Sequence, residues 1–592
     1  MKLGIDFGTT NSSIALFDGT DLRRLQLDAG SDNPYILPSL IYIGRDQTAR
    51  VGTAAATAYL EHETGRIVKW ENRRVGEIDF YGAEMHYVQD VHVVVDANAQ
   101  GRLLQYVKTG LRDPSYEGTQ IFDRYYTVDE LIAIVLRHLK SRAENEFGDA
   151  SHHVVLGRPV KYSDDDAITL RAEEMMYKAA RLAGFDDIRF ALEPVGAAYS
   201  YHRAAKKRQT AFIFDFGGGT LDFTIARLGG KRDPEILATH GVLVGGDDLD
   251  RRLMQSLRKY FGGSALPDYV LELLDNWQTM PDLSRPALAK TIAEYSPRDP
   301  SGIAALKTLV TRNVGFKLFR AIEQSKKNLS ASALEQLDFD FEDISIHELI
   351  GREQFEGLIY REIEKVELGI LQTLEIAKIK PENLDIVLRT GGTSAVPVFT
   401  ALLEKIFGAS ALAEMDLFTS VVGGLAVVAA EDGGVKPKYA ARYDPDRVLP
   451  STSLRSAQGA SPQLYAFRVG EKPYTDAEYT LARLPADLSG LPAIKTAQAD
   501  KANASAEFLE FDLLRKTRVL IAYDAEAKEL PRWLRAFEPV KLRVIVNQYG
   551  AERALNFYGK NFPAGRVTLG GNLADGARGN VFLNYVVVLK SL

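Results

Sequence analysis

Over the first 430 positions the spacing of apolar residues switches repeatedly between strand-like and helical periods. Apolar runs at 3–7 and 13–17 flank Gly8-Thr9-Thr10-Asn11 and predict a β-hairpin. Residues 37–43 and 154–156 predict further strands, whereas 128–147 and 167–183 carry apolar residues at helical spacing. Residues 211–216 and 221–226 predict a second hairpin around Gly217-Gly218-Gly219-Thr220. A helix ending at Ser330, a helix over 353–379, a strand at 384–388 and a helix after Pro397 complete an α/β alternation.

The two hairpins echo one another. In Ile5-Asp6-Phe7-Gly8 and Phe214-Asp215-Phe216-Gly217 an apolar strand ends in Asp-Phe-Gly, turns through small or hydroxyl residues and returns. Such a repeat predicts a duplicated α/β unit with its two turns facing each other.

Beyond residue 430 the pattern changes. Residues 431–462 hold Gly433-Gly434, Pro437, Pro445, Pro450 and many serines, which is linker composition. From 463 to 592 the helical period disappears, and runs at 508–514, 519–523, 542–546, 554–557, 567–569 and 582–589 predict short strands. That spacing predicts a β-sandwich, with the immunoglobulin type as one form.

Composition narrows the function. The 592 residues include 72 basic and 79 acidic side chains, a formal charge of −7, which argues against a nucleic-acid or anionic-membrane binder. The absence of cysteine excludes disulfides, thiolate metal sites and thiol catalysis. No apolar run reaches the length of a membrane span and the first residues lack a leader-like core, so a cytoplasmic location is expected.

The candidate chemistry lies in the turns. Gly8, Thr9, Thr10 and Asn11, and Gly217, Gly218, Gly219 and Thr220, present backbone N–H groups and hydroxyls that suit phosphate oxygens. Asp6 and Asp215 each end an apolar strand, where an unpaired carboxylate is costly. Two readings stand open: the pair holds magnesium, which favours a few carboxylates, waters and phosphate oxygens, or each Asp caps its own turn. Gly245-Gly246-Asp247-Asp248 opens an amphipathic helix. Glu323, Lys326, Lys327 and Ser330 share one helix face, either a purine–ribose clasp or a solvated, ion-paired surface. Gly391-Gly392-Thr393 follows a predicted strand and permits close backbone approach.

In this order the motifs resemble the ATPase domain of the 70-kDa heat-shock chaperone family, within the actin and sugar-kinase superfamily. Gly4–Ser12 (GIDFGTTNS) looks like its first phosphate loop and Asp215–Asp222 (DFGGGTLD) like its second. Glu193-Pro194 with Ala197-Ala198-Tyr199 is similar to its Glu-Pro helix start; Gly245–Asp250 and Glu323–Ser330 are similar to its adenosine-side motifs. The resemblance covers residues 1–430 and implies two lobes around a cleft, each with a ribonuclease-H-like sheet. It implies ATP/ADP and magnesium as ligands, slow ATP hydrolysis by positioning and charge neutralisation, and peptide or protein clients and co-chaperones as partners of a monomer. By position, Asp6 and Asp215 hold the magnesium waters, Thr9 and Thr220 the γ-phosphate, and Glu193 and Asp215 orient the attacking water. Lys69, in Ile67-Val68-Lys69-Trp70, matches the family's catalytic lysine; as the alternative it is a surface amine.

The departures are local. Ala395 stands where the family carries an adenine-stacking Arg, and residues 266–309, with Pro267, Pro281, Pro286, Pro297 and Pro300, read as an insertion of broken helices. After Ala430 the polar Glu431-Asp432-Gly433-Gly434 stands where the family has an acidic, leucine-rich linker, and the residues that follow are not expected to form its typical lidded peptide-binding module. Trp533 is either a ligand platform or core. The expected function is a divergent heat-shock-type ATPase chaperone; the alternative is an ATP-regulated scaffold or sensor.

Overall fold

The structure is a computed structural model that describes residues 1–81, 86–122, 124–414, 420–442, 448–449, 453–456, 462–574 and 582–592. It forms two compact units. The first comprises Met1–Thr109, His138–Asp164 and Ala191–Gly434; the second comprises Gly110–Arg137, Asp165–Phe190 and Val435–Leu592.

The first unit carries the duplication. In one sheet Lys2–Phe7 pairs antiparallel with Asn11–Phe17 and parallel with His153–Arg158. In the other, Gln209–Phe216 pairs antiparallel with Leu221–Leu228 and parallel with Ile386–Thr390. The registers correspond: Asp6 faces Ser13 and Asp215 faces Asp222, each Asp one residue before its strand ends. Phe212, Ile213, Phe214 and Phe216 are all fully buried, as expected of a central strand covered on both faces.

The halves meet where Glu193–Ala204 crosses Ser420–Ala430. A Cβ at Gly424 would lie 1.6 Å from the Gly196 carbonyl oxygen, so the two backbones touch with no side chain between them. Beyond the second sheet lie Gly246–Leu257, Gly315–Ala331 and the antiparallel pair Leu334–Phe341 and Ile344–Gly351.

Local outcomes differ from the sequence pattern for identifiable reasons. The strand expected at 37–43 is two, Leu37–Pro38 and Ile41–Gly44, because Pro38 has no N–H to continue a ladder. The helix expected over 353–379 is two, Arg352–Leu358 and Tyr360–Ala377. The break falls at Ile359 and lets Phe355 and Ile359 enter the same apolar core as Val366 and Ile370. A ribbon of Trp70–Tyr81 paired with His86–Asp96 has no counterpart in the sequence reading.

The second unit contains a seven-stranded sheet, ordered Gln463–Ala466, Pro492–Lys495, Val586–Ser591, Thr517–Asp524, Ala551–Phe562, Glu538–Gln548, Thr480–Arg483. A three-stranded sheet of Arg455–Ser456, Leu509–Leu513 and Gly565–Leu569 shares one core with it: Phe511, Leu513 and Val567 pack with Val519, Ile521 and Val587. Among the described residues the two sheets hold seven and three strands. The earlier segments of this unit are bound to the later ones by buried polar contacts. Lys178 Nζ donates to the Ala486 carbonyl at 3.0 Å, and Ser489 Oγ to Asp129 Oδ2 at 3.2 Å. Phe190 and Val435 exchange backbone hydrogen bonds at 3.0 and 2.8 Å, so the chain is pinned directly after Gly434. Within the expected linker at 431–462, positions 443–447, 450–452 and 457–461 lie outside the described residues.

Candidate functional site

In the first unit the two hairpin turns face one another across a cleft enclosing about 710 Å³ between atoms, partly open to solvent. Both turns close alike: the Gly8 N–H donates to the Asn11 carbonyl at 2.9 Å and the Gly217 N–H to Thr220 at 3.0 Å. Their tips nearly touch. A Cβ on Gly218 would sit 1.7 Å from Thr10 Oγ1, and one on Gly219 2.6 Å from Thr9 Oγ1. Thr10 Oγ1 is buried and has no hydrogen-bond partner among the described residues. Ser39 braces the first turn, its hydroxyl donating to the Gly8 carbonyl at 2.9 Å and its N–H to that of Thr10 at 2.8 Å.

The cleft lining carries four carboxylates and one ammonium: Asp6, Glu193, Asp215, Asp222 and Lys108. Lys108 Nζ lies 2.8 Å from Glu193 Oε1, with both side chains about nine-tenths buried. Burial works against the Lys108 charge, but Glu193, Tyr162 and Asp6 outweigh it and hold its pKa above the ordinary value. Burial, then Glu193, pushes Asp6 up to about 7 against the pull of Lys108. Asp222 is likewise raised to about 7 by burial and Glu193, although it accepts the Val160 N–H at 2.9 Å. Asp215 is pushed well above the usual carboxylate range by burial, Glu193, Asp222 and Asp6. The cleft is therefore short of positive charge.

Of the residues expected from sequence, Asp6, Gly8, Thr9, Thr10, Asn11, Glu193, Asp215, Gly217, Gly218, Gly219, Thr220, Gly391 and Gly392 line this cleft. Others stand behind it. Gly246 and Asp247 donate their N–H groups to the Gly217 and Gly218 carbonyls at 3.1 and 2.9 Å, so this helix start supports the second turn. Gly245 donates instead to Asp248 Oδ2 at 2.9 Å. Thr393 Oγ1 donates to the Gly217 carbonyl at 2.9 Å.

Lys326 is bound to Asp250 at 2.7 Å and to the Gly246 carbonyl at 3.1 Å. Glu323 pairs with Lys327 at 3.1 Å, and Ser330 Oγ donates to the Lys326 carbonyl at 3.4 Å.

Lys69 is not brought into the cleft. Its side chain is 61% exposed and its amine pairs with Glu71 at 2.6 Å. Lys108 occupies the cleft instead, within the short 3-10 helix Val107–Arg112. The ribbon Trp70–Tyr81 and His86–Asp96 intervenes between the two lysines in the chain. The helical turn itself was the available signal. Asp222, two residues past Thr220, was also missed as a cleft residue.

A sequence model described as Hsp70 protein matches residues 2–276 and 306–437. The chain belongs to the Hsp70 family. Curated relatives include the stromal 70 kDa heat shock-related protein, chloroplastic, of Pisum sativum and heat shock 70 kDa protein 6, chloroplastic, of Arabidopsis thaliana. Each is 23% identical over 410 residues, covering 69% of this chain and 49% of the relative. Heat shock 70 kDa protein 7, chloroplastic, of Arabidopsis thaliana is 24% identical over the same length. The chain thus spans about half the length of the curated Hsp70 relatives it matches. Among the described residues no helix is long and apolar enough to cross a membrane, and no cluster of three His, Cys, Asp or Glu side chains is arranged to hold a metal ion directly.

Proposed function

We propose that the cleft binds ATP and ADP with magnesium and hydrolyses ATP slowly, and that nucleotide-driven lobe closure serves a divergent Hsp70-type chaperone. Residues 1–430 would be the nucleotide-binding domain, 431–462 a linker and 463–592 a β-sandwich module. The observation that carries the reading is the cleft charge: four carboxylates face one ammonium beside two turns that suit phosphate.

The donor set fits magnesium held through waters and phosphate oxygens, with Asp6 and Asp215 accepting from those waters and the buried Thr10 hydroxyl unclaimed. When bound, the ion neutralises phosphate charge. The chain's own residues do the rest. Thr9, Thr10, Thr220 and the backbone N–H groups of both turns position the phosphates. Lys108 stays charged and supplies positive charge beside the transferred group. Glu193 holds that ammonium in place, and with Asp215 orients the attacking water.

Calorimetry of magnesium-dependent adenine-nucleotide uptake tests the site, with single-turnover phosphate release testing the reaction. An unfolded model peptide binding with different affinity in ATP and ADP would support chaperone coupling; equal affinity would remove it.

A second reading, an ATP-regulated scaffold or sensor, draws support from the buried anchorage of the C-terminal sheets on residues 165–190. Tight nucleotide binding with negligible turnover would favour it.

A further inference from the structure

The helix Tyr360–Ala377 is apolar on two sides. Its inner face buries Val366, Gly369, Ile370 and Leu374, and a Cβ at Gly369 would lie 2.6 Å from the Phe223 ring, so this face is pressed onto the sheet. Its outer side carries Tyr360, Leu368, Leu371 and Ile376, each more than half exposed. A single exposed Leu is ordinary, but four large apolar side chains along about five turns form a patch. A helix that is apolar on both sides is one that is covered on both.

Two charges on that outer side run against the helix's own dipole. Arg361 stands in the first turn and Glu375 in the last, whereas the dipole favours acid at the start and base at the end. Neither has an ion-pair partner among the described residues. Their neighbours do: Glu362 is buried against Arg252 at 2.7 Å, and Glu367 pairs with Lys405 at 3.1 Å. An antiparallel copy of the same helix corrects both placements. Arg361 and Glu375 lie seven residues either side of Leu368, and Tyr360 and Ile376 eight. A two-fold axis through Leu368 therefore sets each Arg361 against Glu375 of the second copy, each Tyr360 against Ile376, and Leu368 against itself. Each Lys365 stem then covers Leu371. Arg361 also meets the negative end of the neighbouring dipole, and Glu375 its positive end. Sliding the axis to midway between Leu368 and Leu371 would oppose Glu364 to Glu375 and Arg361 to Lys378. Those are like-charge contacts, so the charges select the register.

We propose that the outer side of Tyr360–Ala377 docks on a second copy of this chain, antiparallel and two-fold about Leu368, so that the chain dimerises through this helix. The pairing is independent of the nucleotide reading and differs from the monomer that the resemblance implies. A single helix about 27 Å long offers less than the roughly 1,200–2,000 Å² of a standard interface, so the dimer is weak and concentration-dependent.

Sedimentation equilibrium of the full chain from about 1 to 200 µM tests the pairing, and the unaltered chain is expected to pass from monomer to dimer over that range. Leu368→Glu, at an exposed position, should keep the melting temperature and hold the chain monomeric. Arg361→Glu and Glu375→Arg should each weaken the dimer about tenfold, because the axis makes each like-charge contact twice. The double variant should return it to within about threefold of the unaltered chain. The chain has no cysteine, so Leu368→Cys supplies a single thiol. It should form a disulfide with its copy under mild copper–phenanthroline oxidation, whereas Tyr360→Cys, about 24 Å along the axis from its counterpart, should not. A chain that stays monomeric throughout overturns the proposal. So does a dimer insensitive to Leu368→Glu, which uses another surface, a charge exchange that fails to restore pairing, or cross-linking through Tyr360→Cys in preference to Leu368→Cys.

Discussion

Lys108 donates to Glu193 across 2.8 Å in the cleft, where it is the ammonium that faces four carboxylates. In the proposed reaction, removing it takes away the positive charge beside the transferred phosphate. Lys108→Ala is expected to slow single-turnover hydrolysis by about a hundredfold, the usual cost of losing one preorganised stabilising group. Lys69→Ala, at an exposed amine paired with Glu71, should leave the rate unchanged. Equal effects of the two variants would remove Lys108 from the reaction.

The raised carboxyls set a pH dependence. Asp6 and Asp222 move from an ordinary 3.8 to about 7 in the folded chain. The folded state therefore holds protons that the unfolded state releases. The associated stability is fully present below pH 4 and is lost as pH rises from about 4 to 7. Lys108, its pKa raised, keeps its charge throughout that window. Thermal unfolding of the nucleotide-free chain should show this decline. The gain in melting temperature on adding magnesium and ADP should be larger at pH 8 than at pH 6; an equal gain would count against cation neutralisation.

Gly245 packs against the second turn with no room for a methyl group: a Cβ there would lie 2.0 Å from the Gly218 carbonyl oxygen. Gly245→Ala is expected to cost about 1–3 kcal/mol through forced displacement of that turn. Urea unfolding measures the loss, and nucleotide affinity should fall with it.

Lys326 neutralises Asp250 at 2.7 Å, with the two side chains 12% and 8% exposed. Burial raises Asp250 to about 6 even with Lys326 pulling it down. Lys326→Met leaves that carboxylate unpaired and should destabilise the chain by about 3 kcal/mol at neutral pH. Adding Asp250→Asn should restore much of the loss, which denaturant titration of the single and double variants would read.

Trp533 behaves as core. Its indole N–H donates to the Gly571 carbonyl at 3.0 Å, and its ring packs against Tyr585 and Phe537 at 5.4 and 5.9 Å. Trp533→Ala is expected to cost about 3 kcal/mol and to leave nucleotide uptake intact. A ligand platform would instead lose binding with little change in melting temperature.

Local sequence determined the two Gly- and Thr-rich turns, the aspartates beside them and the Glu-Pro helix start. Each is set by residues adjacent in the chain: Gly and Thr where backbone must turn tightly, Pro194 where a helix begins. The same locality made the duplication legible, because Asp6 and Asp215 hold matching places in matching hairpins. Only the tertiary structure decided which lysine faces Glu193, since the ribbon after Trp70 postpones Lys108 and no neighbouring residue announces the detour. It also decided that Gly246 supports a turn rather than lining the cleft, and that Trp277 grips Gln105 from 172 positions away. Those facts depend on burial and on partners distant in the chain. Turns are set by nearest neighbours, whereas charge states and seams are set by whatever folding places alongside them.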